Sequence, residues 1–145
     1  MQNFRPIIQD AALVGWGVRV MLLAAAESAG ADAITSRLAG FGGLVERETE
    51  LFTALEALID DPAGYGLFVM ECEGFGGLEM GQKAFAMLGQ LKARLPVILV
   101  AQDCGVQVFP EDRSAPVQLR APLSAVALRV GFEHALRERL LRVAA

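Results

Sequence analysis

Strands alternating with helices along a 145-residue chain predict a three-layer α/β sandwich around a five-stranded parallel sheet of order 2-1-3-4-5. Three observations carry this expectation. Apolar, β-branched runs such as Val97-Ile98-Leu99-Val100 are continuous rather than alternating, as in strands covered on both faces. Between them lie stripes at helical spacing, such as Leu51, Leu55 and Leu58. Glycine and proline clusters punctuate nearly every join.

Taken in order, Val18 to Ala25 is the first strand, interrupted only by Arg19. Ser28 is placed to cap a helix that buries Ala31, Ile34 and Leu38 and ends at Gly40 to Gly43. Leu44 to Glu48 is a short strand whose Glu46 and Glu48 suit a sheet edge. Thr49 is the expected cap of a helix to about Asp61, stopped by Pro62, Gly64 and Gly66. Leu67 to Glu71 is a second buried strand, and Glu73-Gly74-Phe75-Gly76-Gly77 a loop. A helix to about Arg94 follows, with Ala84, Phe85, Leu88, Leu91 and Leu95 on one side, and Pro96 opens the next strand. Residues 102–116 carry no helical pattern. Val117 to Leu119 is a last short strand, and from Ser124 a long helix runs with Leu128, Phe132, Leu136 and Leu140 in one stripe. That stripe packs on the sheet or forms an interface with a second copy or another protein. The division expected is an N-terminal extension, 1–17, and one domain, 18–145, with an extended C-terminal helix.

Composition excludes several classes. With 54% hydrophobic residues the chain buries a core without disulfides or metals. A net charge of -4 and no basic run leave no nucleic-acid footprint. The apolar segment 11–26 contains Arg19 and is too short to cross a bilayer, so no membrane association is expected. Cys72 and Cys104 alone make no disulfide framework, which leaves cytoplasm as the default location. No nucleophile-base set can be assembled around the lone His134, and no ligands cluster for a metal. The glycine-rich loop at 73–77 lacks the pattern of a nucleotide-binding turn, and its acids repel phosphate.

Three segments in sequence carry a resemblance. They are Leu67-Phe68-Val69-Met70-Glu71 with Gly77-Leu78-Glu79, then Leu95-Pro96-Val97-Ile98-Leu99-Val100-Ala101, then Leu119-Arg120-Ala121-Pro122-Leu123. Their order and spacing resemble the receiver domain of two-component response regulators, a flavodoxin-like fold, over roughly residues 18–140. The resemblance implies a pocket at the strand ends in which an acidic pair holds magnesium, an aspartate takes a phosphoryl group, and a hydroxyl residue and a lysine contact it. At those positions stand Ala24 and Ala25, Glu71, Ala101 and Ala121. Methyl groups supply neither the hard oxygens magnesium requires nor a hydrogen-bond donor. Glu71 keeps a negative charge without the oxygens of a phosphoryl group. The loop from Glu71 to Gly77 is also about two residues tighter than the family pattern, without its methionine-proline pair.

The expectation is therefore a degenerate receiver: no enzyme, no cofactor, no metal, acting through contact with a sensor kinase, a regulator or itself as a homodimer. The alternative is a domain that binds a small ligand or nucleotide in a cleft at the strand carboxyl ends, lined by Glu71, Cys72, Gln102, Asp103 and Cys104.

Overall fold

A computed structural model describes residues 15–112 and 114–138. Five parallel strands form one sheet: β1 (Arg19–Leu23), β2 (Leu44–Glu48), β3 (Leu67–Glu71), β4 (Val97–Ala101) and β5 (Val117–Arg120), in the order β2-β1-β3-β4-β5. Three helices connect strands, α1 (Ala31–Gly40), α2 (Leu51–Asp60) and α3 (Leu78–Met87), and α4 (Ala125–Ala135) follows β5. This is the flavodoxin-like α/β architecture expected from the sequence.

The pleat divides the core into two layers. Met21, Leu23, Phe68, Met70, Val97, Leu99 and Ala101 face α2 and α3, where Leu55, Leu58, Ala84 and Leu88 cover them. Val20, Leu22, Leu67, Val69, Ile98 and Val100 face α1 and α4, where Ile34, Leu38, Leu128 and Phe132 cover them. Because both faces of β3 and β4 are covered, every residue of these two strands is buried. That double covering is why their sequences run apolar without alternation. β2 closes one edge, where Leu44, Glu46 and Arg47 are exposed and Val45 packs against the core.

Several boundaries differ from the sequence expectation. Gly30, not Ser28, precedes α1, and Glu50, not Thr49, precedes α2. The helix expected to reach Arg94 stops at Met87. Gly89 adopts a positive φ of 59°, and Gly89–Ala93 tightens into a 3-10 turn. Ser124 does cap its helix, its hydroxyl accepting from the Ala127 amide at 3.0 Å. Between β4 and β5 there is no helix; instead Val108 pairs antiparallel with Gln118, each amide donating to the other's carbonyl at 2.9 Å.

The C-terminal stripe is corrected as an interface. Leu128, Phe132 and Leu136 are buried, and Phe132 stacks in a tilted pair with Phe41 at 4.8 Å between ring centroids. A helix laid on a sheet must bury one apolar stripe, and this is the stripe it uses. Leu140, the helix beyond residue 138 and residues 1–14 of the expected extension lie outside the described residues. Where the extension joins the domain, the Gly17 amide donates to the Gly42 carbonyl at 2.9 Å. Among the described residues no helix is long and apolar enough to cross a membrane.

Candidate functional site

Glycine and alanine leave space where the carboxyl ends of β1, β3, β4 and β5 meet the start of α1. The result is a cavity of about 510 Å³. Its floor is Glu71, the last residue of β3, which the pleat turns to the α1 side with Val69 and Leu67. Its apolar walls include Ala25, Ala29, Val100, Ala121, Leu123 and Leu128, and its mouth carries Glu27, Glu73, Gln102 and Arg37.

Glu71 is the one buried charged side chain among the described residues, at 6% exposure. The Ser28 hydroxyl donates to its Oε1. The residue expected to cap α1 thus turns inward and holds the carboxylate. Oε2 rests against Gly30, where an added Cβ would lie only 2.7 Å away. A side chain at 30 would therefore displace the Glu71 carboxylate, which sits beside the partial positive charge of the α1 N-terminus. Across the cavity, a Cβ added at Gly74 would lie 2.5 Å from the Ala25 methyl. The β1 and β3 loops thus meet through two of the smallest residues available.

Of the five positions expected to form the pocket, Ala25, Glu71 and Ala121 line this cavity. Ala24 is buried beneath it, its amide bonded to the Glu48 carbonyl at 3.0 Å. Ala101 is corrected: it lies in the core under α2 and α3, on the face opposite Glu71. Strand register explains this. Glu71 pairs with Val100 across β3 and β4, so Val100 shares its face, and Ala101, one residue on, points away. Arg120 does not reach Glu71. Its guanidinium donates to the carbonyls of Cys104, at 2.9 Å, and Gly105.

The cleft proposed from sequence also splits. Glu71 and Gln102 line the cavity, whereas Cys72, Asp103 and Cys104 do not. Asp103 is a capping group: its Oδ1 accepts from the Leu78 amide at 3.0 Å, at the first turn of α3. Both thiols are buried and free. Burial pushes the Cys72 thiol up to about 12, leaving it un-ionised and unreactive at neutral pH. His134 faces the Pro110 carbonyl at 2.5 Å and the edge of Phe109, a packing role.

A magnesium site of the receiver kind does not fit these residues. Ala25 offers a methyl pressed under Gly74, and Glu71 already engages Ser28. No group of three His, Cys, Asp or Glu side chains among the described residues is placed to hold a metal. Sequence reasoning missed Ser28, Gly30 and Arg37. Ser28 and Gly30 had left a signal, a small polar residue and a glycine directly after the first strand.

The fold and cavity define a flavodoxin-like α/β domain whose strand-end pocket is walled by small apolar residues. Among solved structures, the chain is similar to a protein described as pilus assembly-related from Burkholderia pseudomallei K96243. The TM-score is 0.56 at 20% identity, covering 86% of this chain and 90% of that one. At that identity the likeness concerns the fold. No protein-family model matches the chain, and no curated protein matches it.

Proposed function

We propose that this chain is a receiver-like signalling domain that accepts no phosphoryl group, catalyses no reaction and acts by binding another protein in the cytoplasm. One observation carries the reading. At the strand ends, where such a fold places its chemistry, the carboxylate is a glutamate bonded to Ser28, and alanines at 24, 25 and 121 stand where the receiver pattern has its acidic pair and lysine. Acyl-phosphate formation needs a cation to neutralise the donor and a fixed cationic side chain beside the carboxylate. The cavity supplies none of the cation ligands of the receiver pattern.

Exposed apolar side chains support a binding role. Phe52 and Ile59 lie two turns apart on α2, and Val126 and Val130 one turn apart on α4. The partner is a sensor kinase, another regulator or a second copy of the chain. The neighbour's description as pilus assembly-related agrees with a domain that works within an assembly.

Incubation with acetyl phosphate and magnesium tests the chemistry. Intact-mass measurement is expected to show no added phosphoryl group, and stoichiometric incorporation at any carboxylate defeats the proposal. Sedimentation velocity separates self-association from a need for a different partner.

A further inference from the structure

We propose that the cavity at the strand ends is a socket for a cationic group, a guanidinium or ammonium carried on a short apolar body. This deepens the reading above in one respect only, that the pocket is free of phosphoryl chemistry.

Three observations combine. The cavity, about 510 Å³, is within the range of sites that enclose small organic ligands or a long side chain. Its lining carries three carboxylates, Glu27, Glu71 and Glu73, against one guanidinium, Arg37. The α1 N-terminus adds roughly half a positive charge, so the interior stays net negative by about one and a half charges. Glu71 is nearly buried, yet only one of its oxygens is satisfied. Ser28 donates to Oε1, and among the described residues no donor reaches Oε2. Oε2 is not a buried unpartnered atom, so it stays accessible at the floor of the cavity, and an accessible carboxylate oxygen accepts best from a charged donor. The apolar walls formed by Ala25, Val100, Leu123 and Leu128 would receive the stem that brings the cation in.

Benzamidine is the probe, with benzamide as its neutral and benzoate as its anionic counterpart. Amide chemical shifts of the 15N-labelled chain are followed at Ser28, Gly30, Ala121 and Leu123. Benzamidine is expected to shift these amides saturably at millimolar concentration while benzamide and benzoate do not. Glu71→Gln keeps the shape and the Ser28 contact, and should weaken binding about tenfold or more. Arg37→Ala should tighten it about twofold to threefold, by removing a like charge near the mouth.

If Glu71→Gln loses its dispersed spectrum, Glu27→Gln at an exposed position replaces it, with an expected weakening of about twofold. Two further arms separate the sources of the cation. Agmatine stands for a free amine and acetyl-Ala-Arg-Ala-amide for a partner's arginine, and tighter binding of either supports the socket and assigns its source. Equal shifts with benzamide or benzoate, or no shift with any cation at saturating millimolar levels, would overturn the proposal. Neither result touches the acetyl phosphate assay, so the two readings fail separately.

Discussion

Replacing Phe132 by alanine tests whether the stripe on α4 is core or contact surface. Phe132 is fully buried, packs on the layer formed by Val20, Leu22, Val69 and Val100, and stacks on Phe41 at 4.8 Å. Removing a buried phenyl ring costs about 3–5 kcal/mol, because the transfer free energy is lost and the cavity collapses only partly. The ring pair is part of that loss, at about 0.5–1.5 kcal/mol. A domain of this kind is stable by roughly 5–15 kcal/mol, so the change removes a large share of it. With a urea slope of about 2 kcal/mol/M, the unfolding midpoint should fall by about 2 M at an unchanged slope. Val126→Ala on the exposed side of the same helix is the control, expected within about 0.5 kcal/mol of the parent. A loss below about 1 kcal/mol for Phe132→Ala, with the change appearing instead in sedimentation, would refute the assignment of this face to the core.

Three other outcomes are expected. Asp103→Ala removes the acceptor of the Leu78 amide and should cost about 1 kcal/mol by urea denaturation, with Asp103→Asn recovering part of it. Ser28→Ala leaves Glu71 Oε1 without its donor and should destabilise by about 1.5–3 kcal/mol, whereas Ser28→Thr should be milder. For Cys72 the folded thiol is held at about 12, above its ordinary 9.0, so the neutral form is the folded form. Its contribution is complete below about pH 9 and disappears as pH rises through about 12, and urea midpoints should fall more steeply over that window than in Cys72→Ala.

Much of the architecture was legible because it rests on local pattern. β3 and β4 showed as unbroken apolar runs since helices cover both their faces, and helix stripes at 51, 55 and 58 predicted which side of α2 is buried. What escaped depends on contacts distant in sequence. Ser28 has the chemistry of a cap, but the helix begins after Gly30, two residues later, and the Ser28 hydroxyl donates to Glu71, forty-three residues on. The resemblance puts Ala101 in the pocket, at the receiver's hydroxyl position. The register of Glu71 against Val100 decides which face it joins, and no local signal encodes that register. The bridge from Val108 to Gln118 is two backbone bonds between segments ten residues apart, too slight to leave a period in the sequence. Ala84 through Leu95 kept helical spacing across a real break, since a 3-10 turn places side chains nearly as a helix does.

The alanines at the strand ends alone would suggest a pocket merely emptied of its chemistry. The contacts show in addition how closely its small residues are fitted to their neighbours. A glutamate reaches one methylene further than an aspartate, and Gly30 stands where that extra reach brings Oε2, 2.7 Å from where a Cβ would lie. Ser28 leaves the capping position of α1 to bond the other oxygen. Gly74 closes over Ala25, so the β1 loop and the β3 loop meet where a cation and its carboxylates would otherwise need room. Each small residue is thus matched to a particular larger or charged neighbour. Single substitutions toward an aspartate pocket would meet these contacts before they gained any ligand geometry. The negative, half-enclosed space that remains is itself a defined shape, bounded by Val100, Leu123 and Leu128 and floored by one carboxylate with a vacant oxygen. A surface of that form discriminates by charge and by the width of the stem it admits.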